Sequence, residues 1–153
     1  MALADIVAQF RRGVEQVKAQ KDVLVLKAVQ MNEAAILDLV TEDQLSGKRI
    51  RSNSSPIRPE YTTYTKKLKK AAGQITSHVT LKDTGDFHDS IFIQYGNDDF
   101  EIAASDSKTS KLITKYGAAI LGLTEDNTDR TAQIIEPDLK ELINKLILNN
   151  GNV

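Results

Sequence analysis

The chain has 153 residues, enough for a sizeable core, and its 41% hydrophobic and 27% charged content lies near the average for a globular protein. A formal net charge of −1 argues against attraction of the whole molecule to nucleic acid or membrane, and the lack of cysteine excludes disulfides and thiolate chemistry. No run approaches the roughly 18 apolar residues that span a bilayer, so a soluble chain without membrane contact is expected.

Leu3, Ile6, Val7, Phe10, Val14 and Val17 recur at helical spacing, which predicts an amphipathic helix over about 2–20 and not a signal-peptide block. Gly13 interrupts it at a cost of up to about 1 kcal/mol relative to Ala. The stripe faces either the chain's own core or, as an arm over 1–21, a neighbouring subunit. A second helix is expected from Asp22 to about Leu45, where neither Gly nor Pro intervenes. Its start is open, because Val23 to Leu26 alone fits a short buried strand. Ser46-Gly47 is the expected stop. Residues 46–60, with two Pro, four Ser, a Gly and an Asn, read as a flexible loop. A lysine-rich helix from Tyr61 to about Ala72 follows, closed by Gly73.

Residues 79–123 hold the densest set of signals. Leu81 and Phe87 bracket a polar cluster, Lys82-Asp83-Thr84-Gly85-Asp86, that reads as a structured turn with buried anchors. Ile91, Ile93 and Tyr95 alternate with Phe92 and Gln94, and the alternation resumes at Phe100, Ile102 and Ala104 after Gly96-Asn97-Asp98-Asp99, a β-hairpin pattern. Ser105, Asp106 and Ser107 are capping types for a helix carrying Leu112, Ile113, Tyr116 and Ile120, which Gly117 ends or kinks. Residues 123–136 read as a polar connector with a short helical turn, and Pro137 as the first position of a last helix ending at Asn149-Asn150-Gly151. These elements predict an α+β fold over a single domain, 1–153: an antiparallel β-hairpin or small sheet packed with several α-helices, with long N-terminal helices.

Near-neutrality hides two charge blocks. From Lys48 to Lys70 there are eight basic residues (Lys48, Arg49, Arg51, Arg58, Lys66, Lys67, Lys69, Lys70) against Glu60, a balance of +7. From Lys82 to Asp106 seven acidic residues stand against Lys82, a balance of −6. The basic block is either a solvated face, a nucleic-acid contact with Tyr61 and Tyr64 stacking on bases, or a partner for acidic surface on another copy. Asp83, Asp86, His88 and Asp89 have metal-ligand chemistry. However, counting from Asp83, an EF-hand loop would place Gly85, Phe87 and Gln94 at ligand positions, and zinc would want more than one nearby His or Cys. No Gly-x-Ser-x-Gly elbow and no Gly-rich phosphate loop occurs. Neither a metal, a cofactor nor an enzymatic activity is expected.

The order of turn, hairpin and helix, with Leu81, Thr84-Gly85-Asp86-Phe87 opening it and Tyr116-Gly117 late in it, resembles the neck and tail-completion proteins of tailed bacteriophages. The Lys115-Tyr116-Gly117-x-x-Ile120-x-Gly122-Leu123 ending is most similar to structural proteins of gut Bacteroidales phages, including the crAss-like group. The resemblance covers about a third of the chain, and a looser one reaches back to about Glu33. Two features depart from the common form: His88 and Asp89 stand where it has Arg or Lys before the Ser, and Ser105-Asp106-Ser107 precedes the helix. The resemblance implies a structural virion protein, made in the bacterial cytoplasm, that forms a homo-oligomeric ring at the head–tail connector or upper tail. Its implied partners are portal, connector or tail proteins, with passing contact to DNA. The alternative is a nucleic-acid-binding module using residues 48–70.

Overall fold

A computed structural model describes residues 2–149. In chain order the described elements are α1 (Leu3–Ala19), α2 (Lys21–Gln30), α3 (Glu33–Asp38), a π-helix (Leu39–Lys48), α4 (Thr63–Ala71) and the single turn α5 (Asp86–Asp89). Strands β1 (Ile91–Tyr95) and β2 (Phe100–Ala104) then form a two-stranded antiparallel sheet, followed by α6 (Thr109–Tyr116), a 3₁₀ turn (Ala118–Ile120) and α7 (Glu125–Leu148). The fold is α+β, with a long N-terminal helix. The chain divides into two compact units.

The helical unit comprises residues 2–33, 95–100 and 130–149. Its buried apolar side chains are Leu24, Ala28 and Val29 of α2 and Ile135, Leu142 and Leu146 of α7. Gly13 is buried where α1 crosses α7: a Cβ there would stand 2.7 Å from Ile147 Cα. The residue that weakens α1 as an isolated helix therefore permits backbone contact. The N-terminal half of α1 is uncovered, with Leu3 76% and Phe10 58% exposed.

The hairpin unit comprises residues 34–94 and 101–129. Its core joins Val40 and Leu45 of the π-helix, Ile57, Val79, Leu81, Phe87, Ile91, Tyr116 and Ile120. Along β1 the burial alternates as the sequence pattern predicts, with Ile91 and Ile93 inside and Phe92 and Gln94 outside. Gly117 ends α6 with φ 91°.

Three expectations are corrected. The helix expected over 22–45 breaks at Met31-Asn32, because the Asn32 amide donates to Ala28 O at 2.8 Å and to Asp138 at 2.8 Å, competing with the helical ladder. Helical structure then runs past Ser46-Gly47 to Lys48, ending at Arg49 with φ 63°. The flexible loop expected over 46–60 is instead tied down. Ile50 and Pro56 bridge, Arg51 N donates to Ser55 O at 2.8 Å, Ser52 N donates to Ala119 O at 2.6 Å, and Ile57 is buried. Finally, the polar connector at 123–136 is the first half of α7, and Pro137 lies inside that helix. Thr124 caps it by accepting from Asn127 N at 3.1 Å, two acidic residues complement its first turn, and Ile135 shares a helical face with Leu142 and Leu146. The expected end at Asn150-Gly151 lies outside the described residues.

Candidate interaction surface

The Leu81–Phe87 turn is built as its anchors suggested. Leu81 and Phe87 are buried, and Gly85, also buried, sits at φ 93°. Leu81 itself adopts φ 59°, a left-handed conformation that a leucine holds only when its surroundings impose it. Thr84 Oγ1 accepts from Asp86 N at 3.3 Å as the chain enters α5. His88 turns inward, and its Nε2 donates to Thr80 O at 2.7 Å. Burial holds its pKa below the ordinary histidine value, against the smaller opposing effect of that bond. Thus the position that departs from the phage pattern carries an internal, neutral side chain.

The basic block separates into inward and outward members. Arg51 spans the loop, donating from Nε to Ser55 Oγ at 2.9 Å and from Nη1 to Tyr116 O at 2.7 Å. The Tyr116-Gly117 pair is therefore the dock for the 49–57 loop. Lys69 is buried: its Nζ donates to Lys82 O at 3.1 Å and Gln74 at 3.2 Å, and lies 4.8 Å from the Tyr61 ring centre. Lys48 pairs with Asp43 at 3.4 Å and Asp126 at 3.7 Å, and Arg58 pairs with Glu60. Arg49, Lys66, Lys67 and Lys70 are exposed and make no ion pair among the described residues. Four of the eight candidates are thus available to a partner, while Arg51 and Lys69 hold the fold.

Asp83, Asp86, Asp89, Asp98, Asp99 and Glu101 are all exposed, whereas Asp106 accepts from Lys108 N at 2.7 Å at the start of α6. Among the described residues no group of three or more His, Cys, Asp or Glu side chains is arranged to hold a metal ion, and no helix is long and apolar enough to cross a membrane.

A buried amide network escaped the sequence reading. Gln44, fully buried, donates to Gly122 O at 2.9 Å and accepts from Thr124 N and from the Asn127 amide, each at 2.9 Å. The Asn127 amide also reaches Leu39 O and Asp43. A Thr followed by two acidic residues was the one local signal pointing to this junction; the partners of Gln44 lie too far along the chain to be inferred. Set against protein-family models, characterised proteins and solved structures, the chain matches none.

Proposed function

We propose that the protein is a structural virion component of a tailed bacteriophage, a ring-forming part of the head–tail connector or upper tail. One observation supports the reading: the residues that carry the resemblance to neck and tail-completion proteins have structural roles in the hairpin unit. Gly85 shapes the turn, Leu81 and Phe87 anchor it, and Tyr116-Gly117 receives Arg51. Assembly is the function, with no bond-making step. Two further features support it. The uncovered stripe of Leu3, Ile6, Val7 and Phe10 is apolar surface of the kind that subunit contacts bury. Unpaired cations and unpaired carboxylates on one chain suit the head-to-tail contacts of a closed ring, in which one face meets a different face of the next copy. Exposed pairs contribute about 0–1 kcal/mol each, so the apolar stripe supplies affinity and the charges set register.

The test combines location and charge reversal. The protein should be found in purified particles, and its absence there overturns the proposal. The triple variant Lys66→Glu, Lys67→Glu, Lys70→Glu, with Lys69 retained, should fold normally yet fail to incorporate. Adding Asp83→Lys, Asp86→Lys, Asp98→Lys and Asp99→Lys should restore some incorporation. The second reading, a nucleic-acid-binding module, rests on the same four unpaired cations. It requires an affinity for free DNA that falls steeply with salt, which the ring reading does not.

A further inference from the structure

Helix α4 reverses the usual polarity of a surface helix. Its buried side chain is Lys69, whereas Tyr64 and Leu68 face solvent, 71% and 55% exposed. Four residues apart, these two lie on one face of the helix, and Lys67 stands beside them, three residues from Tyr64. Lys66, Lys67 and Lys70 are exposed without an ion pair among the described residues, and the helix itself contains no carboxylate. The outer face of the β-hairpin has the opposite charge. Bonds from Gly96 N to Asp99 O at 2.9 Å and from Ser105 N to Ser90 O at 3.2 Å set the strand register, which places Gln94 opposite Glu101 and Phe92 opposite Ala103. Phe92, 41% exposed, therefore shares with Glu101 the face turned away from the buried Ile91 and Ile93. Asp89 lies two residues before β1, and from Asp83 to Ser107 the chain has no lysine or arginine.

We propose that α4 of one copy docks on the outer hairpin face of a second copy, with Tyr64 and Leu68 against Phe92 and the lysines toward Glu101 and Asp89. The charges are complementary: cations alone on the helix, carboxylates alone on the hairpin. The apolar half of the α4 face selects protein over nucleic acid, because a leucine has no complement in a phosphate backbone. The hairpin offers an exposed aromatic ring next to its carboxylates, and an apolar centre with charges around it is the anatomy of a protein contact. The two patches are different, so a copy that uses its α4 keeps its hairpin free for the next one, as a head-to-tail contact requires. The inference rests on the proposed ring assembly and names the two faces that meet in it.

The chain has no cysteine, so a disulfide crosslink reports the contact directly. Full-length Leu68→Cys and Phe92→Cys chains, mixed and oxidised, should form a mixed disulfide, while neither variant links to itself. Leu68→Cys mixed with Val23→Cys, a position 55% exposed in the helical unit, should form none. Self-association of the unaltered chain, followed by sedimentation against concentration, should weaken about tenfold with Leu68→Ala and about fivefold with Lys67→Glu. Adding Glu101→Lys to the Lys67→Glu chain should restore it. All these side chains are exposed, so the variants keep the fold. Self-association without the mixed disulfide puts the contact elsewhere and overturns this inference, while the ring reading stands. A chain that stays monomeric at every concentration also overturns it, and presence in purified particles then decides the ring reading separately. Salt-sensitive binding of a single-stranded oligonucleotide, lost with Lys67→Glu and seen in place of self-association, would assign the α4 face to nucleic acid and overturn the contact.

Discussion

Each of the two compact units is held together internally by a different kind of interaction. The hairpin unit buries polar side chains in quantity: Gln44, Lys69, Thr80, His88, Thr124 and Asn127 all lie inside it. The Asn127 amide donates to the Gln44 side chain, each of the two also bonds backbone, and Lys69 and His88 each donate to a carbonyl. The helical unit buries chiefly Leu, Ile, Val and Ala, lets α1 touch α7 through a glycine, and leaves much of its apolar surface outside. Directional bonds specify one conformation at high cost when broken, whereas apolar packing is more forgiving and more easily shared with a second molecule. The hairpin unit therefore reads as the part whose shape must be fixed, and the helical unit as the part with surface left to bury.

Four perturbations test that contrast. The largest effect is expected from Gln44→Leu, which preserves bulk but leaves Thr124 N–H, Gly122 C=O and the Asn127 amide without this partner. Stability should fall by about 3 kcal/mol, read from the denaturation midpoint, because several buried groups lose hydrogen bonds together. A loss below about 1 kcal/mol would mean the network adds little. Next comes Gly85→Val, which places a branched side chain at φ 93°. A Cβ there would stand 3.8 Å from its nearest neighbour, ordinary contact, so the loss of about 2 kcal/mol is chiefly backbone strain. An unchanged melting temperature would contradict it.

Gly13→Ala probes the helical unit through the sign of its effect. On an isolated helix the change stabilises by up to about 1 kcal/mol. Here the new methyl meets Ile147 Cα at 2.7 Å and its carbonyl oxygen at 2.9 Å, so a net loss of about 1 kcal/mol is expected. Stabilisation would show that α1 and α7 part easily at this point.

The smallest effect is a pH dependence. The His88 pKa is lowered in the fold, by burial first, with Lys82 lowering it further and Glu42 and Asp89 opposing. The unfolded chain thus takes up a proton near pH 6.5 that the folded chain resists. Stability from this group is complete above that pH and is lost as pH falls through and below it. Denaturation midpoints compared at pH 7.5 and 5.5 should show a smaller acid loss for His88→Gln, whose amide can still donate to Thr80 O. An identical acid loss in both proteins would assign the dependence elsewhere, His78 being the other histidine with a lowered pKa.

The features legible in the sequence were those set by near neighbours. The alternation of Ile91, Phe92 and Ile93 encodes a strand with one buried face, because side chains on a strand point to opposite sides in turn. The apolar spacing of α1, the Asp106 start of α6 and the Gly85 turn depend on contacts within a few residues, and each was expected where it stands. Of the eight basic candidates, the sequence could report the charge but not the direction in which each side chain points. Tertiary structure decided that Arg51 reaches Tyr116 O, 65 residues away, and that Lys69 turns under Tyr61 while Lys67 and Lys70 face solvent. It also broke the second helix at Asn32, whose partner Asp138 is 106 residues distant, and joined Gln44 to Gly122 across 78. The physical reason is common to all of them. A buried hydrogen bond depends on where its partner lies in space, and local patterns of polarity do not encode that position.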